Sequence, residues 1–172
     1  VYGKYADEFI SLFPTSAFGY KEKASLLVEK NDYAAADKCM EEGIKKSGVK
    51  DEAHSNYADL IYQKLIYRGD STYTSWNFDK VIDEAQKAYA IKANPVYQHQ
   101  EARAYFSKGD YQKAYDMFIA LTGTSIKSGE LYLEAAQAKT QLKAPTTEIK
   151  VLLDSAVNVS KNAGAIAGTY YL

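Results

Sequence analysis

One local pattern occurs twice in this chain and fixes most of what it can become. Glu29-Lys30-Asn31-Asp32-Tyr33-Ala34-Ala35-Ala36 and Ser107-Lys108-Gly109-Asp110-Tyr111-Gln112-Lys113-Ala114 lie 78 residues apart. Each reads Lys, a residue tolerant of positive φ, Asp, Tyr, and then Ala three positions later. This is the chemistry of a turn between two helices: Asn31 or Gly109 takes the left-handed conformation that ends one helix, and Asp32 or Asp110 caps the next through its carboxylate. Around these turns Ala24, Ala58, Ala102 and Ala136 recur at spacings of 34, 44 and 34. Small side chains at a fixed period let paired helices approach closely, and units of this size bury their apolar faces only against their neighbours. The expected fold is all-α, an array of antiparallel helix hairpins.

The turn signature and the 34-residue period resemble the tetratricopeptide repeat (TPR). The resemblance implies a right-handed superhelical array, a TPR-like α-solenoid, running as a single array over residues 1–172. Aligned on the turns, two further contact positions hold Ala36 and Gly43, Val81 and Ala88, Ala114 and Leu121, and Ile149 and Ala156. The register places repeats at 17–50, 51–94, 95–128 and 129–163. Residues 1–16 read as the end of a partial repeat with Ala6 and Phe9 on its packing face, and 164–172 as the start of another. The second repeat carries an inserted turn at 68–77, which either forms a surface of its own or folds back on its own repeat. The fourth replaces the Asp-Tyr turn with Ala144-Pro145-Thr146-Thr147, where Pro stops one helix and Thr caps the next. Other departures are His54 and Gln98, where Tyr20 and Tyr132 supply an aromatic ring, and Lys139, where the other repeats are apolar with Leu27, Ile61 and Tyr105.

Composition narrows the possible partners. With 21 Lys+Arg against 22 Asp+Glu the formal charge is -1, so no global field draws the chain onto nucleic acid or anionic lipid. No apolar run reaches the roughly 18 residues of a membrane span. The single cysteine, Cys39, cannot form an internal disulfide. The sequence begins Val1-Tyr2-Gly3 without an initiator Met and ends inside what the register makes a repeat. It reads as a piece of a longer protein whose truncated ends could pair copies into a homodimer. Its Tyr-, Lys- and Asn-containing repeats resemble those of bacterial TPR proteins, of the cell envelope in preference to the cytoplasm.

The resemblance implies a function in binding. The first helix of each TPR hairpin, the A helix, lines a concave groove that takes an extended or helical peptide. Transferred position by position, the contacts are Lys21, Ser25, Asn56, Asp59, Tyr62, His99, Arg103, Phe106 and Gln137. Aromatic rings bury area at modest entropic cost while polar groups set register. Some TPR domains clamp a peptide's terminal carboxylate with a five-residue set. Here Lys21 and Asn56 match it, but Ser25, Val96 and Gln100 stand in the other places, so a charge-assisted clamp is not expected. The expectation is a non-catalytic interaction scaffold, no enzyme, with a protein or peptide partner and neither cofactor nor metal. The alternative is a structural spacer or self-association module. His54 and His99 fall on A helices of different repeats, and Cys39 reads as a core residue beside Met40. Of three short motif matches, Arg68-Gly69-Asp70 is a turn string expected by chance, Asn158-Val159-Ser160 falls late in a predicted helix, and the Gly164 and Gly168 pair lies outside any 20-residue apolar span.

Overall fold

The computed structural model describes residues 2–68 and 73–160. Among them it has nine α-helices and no strand: α1 (Tyr2–Leu12), α2 (Ala17–Glu29), α3 (Tyr33–Lys46), α4 (Lys50–Arg68), α5 (Phe78–Ile91), α6 (Pro95–Lys108), α7 (Tyr111–Leu121), α8 (Gly129–Gln141) and α9 (Thr146–Val159). The chain divides into two compact units, Val1–Ala104 and Tyr105–Leu172. The segment 164–172, assigned from the sequence to a further repeat, lies outside the described residues, as does most of the Arg68-Gly69-Asp70 string.

Three of the helix-to-helix turns are built alike. Asn31 and Gly109 have φ of 60° and 94°, the left-handed conformation their residue types tolerate. The amide of the next residue then reaches back five positions, Asp32 to the Leu27 carbonyl (2.9 Å) and Asp110 to the Tyr105 carbonyl (2.9 Å). The carboxylates turn forward: Asp32 accepts from the Ala35 amide at 3.1 Å and Asp110 from the Lys113 amide at 3.5 Å. Each turn therefore satisfies carbonyls of one helix and amides of the next within a nine-residue stretch, 27–35 and 105–113. The third turn reaches the same geometry with other residues. Lys143 takes φ 56°, and the Ala144 amide bonds the Lys139 carbonyl at 3.0 Å. Pro145 occupies the cap position of α9, and no side chain caps that helix, so neither threonine plays the part expected of it. Proline needs no partner for the amide it lacks.

In the first unit the alanine seam is closed completely. Ala24, Ala36, Ala58, Ala85, Ala88 and Ala102 have no exposed surface. Gly43 does the same job at tighter range: a Cβ there would stand 2.7 Å from the Cβ of Tyr20, so α2 and α3 meet at a contact only glycine allows. Tyr20, Met40, Tyr57, Ile61 and Val81 fill the space between the helices. In the second unit Ala114, Phe118 and Leu121 of α7, Leu131, Ala135 and Ala138 of α8, and Ala156 of α9 make the core. Lys139, the charged departure, points its ammonium at Glu148 (3.0 Å) and over the Tyr115 ring (4.5 Å), where its stem covers apolar surface.

The described part of the inserted turn docks on the preceding hairpin as well as on its own repeat. The Trp76 indole N–H donates to Asp37 Oδ1 at 2.8 Å, and the Tyr73 hydroxyl donates to Oδ2 of the same carboxylate at 3.1 Å. Tyr33 stacks on Tyr73 and meets Trp76 at 5.9 Å, while Tyr57 closes the far side of the indole at 6.3 Å. Lys64, nearly fully buried, holds its ammonium 4.8 Å over the Tyr33 ring. Asn77 then caps α5 by accepting from the Lys80 amide at 2.9 Å.

Candidate functional site

The A helices α2, α4 and α6 are side by side in the first unit, joined by polar bridges. Lys21 of α2 donates to Asp59 Oδ2 of α4 at 3.0 Å, and Gln63 of α4 donates to the same oxygen at 2.9 Å. Between α4 and α6 the Ser55 hydroxyl donates to Gln100 Oε1 at 2.9 Å, and the Gln100 amide returns to the Ser55 carbonyl at 3.4 Å. The Arg103 guanidinium lies 4.9 Å over the Tyr62 ring, whose other neighbour is Phe78 at 6.2 Å. Deeper between the same helices, the Tyr97 hydroxyl donates to Asp51 Oδ2 at 2.8 Å. Burial, together with that carboxylate, pushes the Tyr97 phenol up to about 12.

Two hollows flank α4 on this side. A cleft of about 180 Å³ between α2 and α4 is lined by Ser25, Val28, Glu29, Leu60, Gln63, Lys64 and Tyr67. Its floor, Val28 and Leu60, is buried, and its rim residue Tyr67 is 79% exposed. On the other side Asp59, Tyr62, Gln100 and Arg103 enclose a space of about 20 Å³ above Ala58 and Val81. An apolar floor with hydrogen-bonding groups at the rim is suited to a side chain of a peptide crossing the helices.

Of the nine residues named from the sequence, Lys21, Ser25, Asn56, Asp59, Tyr62, His99 and Arg103 belong to α2, α4 and α6 within the first unit. The fold joins Lys21 to Asp59 and Tyr62 to Arg103. Ser25 donates to the Lys21 carbonyl one turn back, and Asn56 and His99 are half-buried on α4 and α6. Phe106 and Gln137 belong to the second unit, where Phe106 packs edge-on against Tyr111 at 5.3 Å and Gln137 is exposed on α8. Glu29, Gln63, Lys64 and Tyr67 complete the α2–α4 cleft without being among the nine. Tyr67 is there because α4 runs for 19 residues against 13 in α2, an extension that no cap or turn residue marks.

His54, Glu84 and Cys39 are engaged in contacts between helices. His54 Nδ1 is 2.6 Å from Glu84 Oε2, joining α4 to α5, and Glu84 also accepts from Lys87 at 3.1 Å. Burial pushes the Glu84 carboxyl up, but the bonds from His54 and Lys87 outweigh it and hold the group below its ordinary value. Cys39 is buried, with its thiol 3.5 Å from the Tyr20 carbonyl; burial pushes its pKa up, which keeps it a thiol at neutral pH. Among the described residues no three His, Cys, Asp or Glu side chains are placed to hold a metal ion. No helix among them is long and apolar enough to cross a membrane.

Superposed on solved structures, the chain matches YrrB, described as a TPR protein with an unusual peptide-binding site, with a TM-score of 0.66 over 99% of this chain and 82% of that one. The fold is TPR-like. At 13% identity the likeness is one of TPR-like architecture, an all-α helical repeat, and not of residues. No protein-family model matches the sequence, and no curated protein matches it.

Proposed function

We propose that the chain is a non-catalytic protein-interaction scaffold that takes a peptide or protein segment across the face built by α2, α4 and α6. The observation that carries this is the α2–α4 cleft, with its buried Val28 and Leu60 floor and exposed Tyr67 beside Gln63, next to the Tyr62 and Arg103 stack. Rings already held in place lose little entropy when a partner covers them, and the neighbouring amide and carboxylate groups choose its register. The solved TPR-like neighbour, with its peptide-binding site, supports the same reading by analogy of fold. Lys21, Ser25, Asn56, Asp59, Tyr62, His99 and Arg103 are the assigned contacts of this face, and Phe106 and Gln137 are assigned as contacts on the second unit, taken by itself.

A second reading, a spacer that positions other parts of a larger protein, is favoured by the way Lys21, Asp59, Gln63, Ser55 and Gln100 bind one another across the helices. Such bridges stiffen the array whether or not a ligand ever arrives. The two readings separate in a displayed-peptide selection on the immobilised chain. The scaffold reading expects an enriched sequence whose affinity falls about tenfold or more with Tyr62→Ala and Arg103→Ala together, at unchanged helicity. Enrichment that the double variant leaves intact rejects this face, and no enrichment at all leaves the spacer.

A further inference from the structure

The polar groups around the α2–α4 cleft have committed their donors elsewhere. Ser25 gives its hydroxyl proton to the Lys21 carbonyl at 2.9 Å, and Gln63 has its amide nitrogen on Asp59, also at 2.9 Å. Lys64, nearly fully buried, holds its ammonium over the Tyr33 ring of α3, so what it lends the cleft is its stem. At about 180 Å³ the cleft is smaller than the roughly 300–1,000 Å³ of pockets that enclose a whole small molecule, which suits it to one side chain of a longer segment. Both of its walls belong to helices with described neighbours before and after them in the chain, α1 and α3 for α2, and α3 and α5 for α4. The described part of the inserted turn lies against Asp37 and Tyr33 of α3 instead.

The groups left at the rim all favour a cation. Glu29 is the last residue of α2, exposed, and among the described residues nothing pairs with its carboxylate. It stands at the negative end of the helix dipole, in a last turn that carries no basic residue, so a cation beside it relieves two unfavourable charges at once. Lys30, which follows, is exposed and is not one of the residues lining the cleft. Tyr67 is 79% exposed, and the face of its ring attracts positive charge. The floor of Val28 and Leu60 is apolar and fits a methylene stem, which long basic side chains bury while their heads stay at the rim. A guanidinium answers this set better than an ammonium. It is planar and donor-only, so it can pair with a carboxylate through two N–H groups and stack on a ring at the same time, whereas an ammonium is a strongly hydrated point charge. A purely apolar side chain would use the floor but neither the carboxylate nor the charge preference of the ring.

We propose that the α2–α4 cleft selects an arginine of the bound segment, its stem over Val28 and Leu60 and its guanidinium on the Glu29 carboxylate and against the Tyr67 ring. This rests on the reading of the α2–α4–α6 face as a binding surface, and it names the residue a partner must bring to that surface. The partner is then a peptide segment with an exposed arginine, and because Glu29 faces water its hold on that arginine weakens as salt is added.

The probe is arginine capped as its N-acetyl N-methylamide, titrated into the 172-residue chain while backbone amide NMR shifts are followed, with the lysine and norleucine counterparts for comparison. The expected result is saturable shifts on α2 and α4 around the cleft, with arginine bound about threefold tighter than lysine and about tenfold tighter than norleucine. Glu29→Gln and Tyr67→Leu, both at exposed positions that should leave the fold intact, are each expected to weaken arginine binding about threefold or more. Absence of saturable shifts at the cleft overturns the proposal, as does norleucine binding as tightly as arginine, or arginine binding that neither variant changes. A gain in arginine affinity when residues 69–72 are replaced by a Gly-Ser stretch would mean that the chain's own segment competes for the cleft, and likewise overturns it. None of these readouts uses Tyr62 or Arg103. A selected peptide that depends on those two residues but is indifferent to Glu29→Gln and Tyr67→Leu keeps the wider face and overturns the arginine site. Saturable arginine binding with no peptide selected supports the site and counts against the wider face alone.

Discussion

The carboxylate of Asp37 holds the inserted turn to the body of the first unit, and Asp37→Ala tests that directly. The substitution removes two acceptors at once, the partners of the Trp76 indole N–H at 2.8 Å and of the Tyr73 hydroxyl at 3.1 Å. Trp76 is only 2% exposed, so its N–H cannot turn to water and bears the cost of a stranded buried donor, about 1–3 kcal/mol. Tyr73 is half-buried and can be rehydrated, so its loss adds about 0.5–1.5 kcal/mol. The sum is about 1.5–4.5 kcal/mol, whereas Asp37→Asn, which keeps an acceptor oxygen, should cost about 1 kcal/mol or less. Trp76 is the only tryptophan in the chain, so its emission reports on the insertion while far-UV circular dichroism reports on all the helices. With a urea dependence of about 1–3 kcal/mol per molar, the fluorescence midpoint of Asp37→Ala should fall by about 1 M or more. Its native emission should also shift to the red. Equal midpoints for the wild type, Asp37→Asn and Asp37→Ala would refute the reasoning, because the indole would then be held by ring packing alone.

Two further expectations follow from the same core. The Tyr97 phenol, raised to about 12 by burial and then by Asp51, contributes stability that is whole below its unfolded value near 10 and lost as pH rises through about 12. Tyr97→Phe should therefore flatten the fall in urea midpoint between those two pH values, and an unchanged slope would show that the proton on Tyr97 is not what alkali removes. Gly43→Ala drives a methyl into the Tyr20 ring and should cost about 1–3 kcal/mol in thermal or urea unfolding, despite the higher helix propensity of alanine. A neutral or stabilised variant would mean that α2 and α3 can separate freely.

What the sequence could and could not disclose follows from the range of the interactions involved. The turns at Asn31–Asp32 and Gly109–Asp110 were legible because every bond that makes them closes within six residues. The turn at Lys143 obeys the same hydrogen-bond rule, but a lysine gives no sign that it will accept a left-handed backbone. The alanine seam could be read because its period is written in the chain. The Trp76–Asp37 bond spans 39 residues and the His54–Glu84 bond spans 30, and no periodicity fixes which two side chains will face each other. His54 illustrates the physics well. A phenol or phenyl ring there would only fill space, whereas the imidazole both fills it and satisfies the Glu84 carboxylate buried on α5.

The same reasoning bears on the candidate site. Sequence register puts Lys21, Asp59, Tyr62 and Arg103 on one face, which is all that periodicity can do. It does not say that Lys21 and Asp59 lie 3.0 Å apart or that Arg103 covers Tyr62, and those pairings set the terms for a partner on the proposed face. Lys21 and Asp59 are each open to water over about a third of their side chains, so solvent screens part of their attraction and the pair adds little to folding. A ligand bearing both an acceptor and a donor can therefore replace the bridge at small cost, whereas one bearing a single charge leaves its unmatched member facing like charge or an apolar floor. Recognition on this face should consequently favour segments that alternate sign over segments of uniform charge, and a uniformly charged peptide should bind more weakly than an alternating one of equal length at low ionic strength.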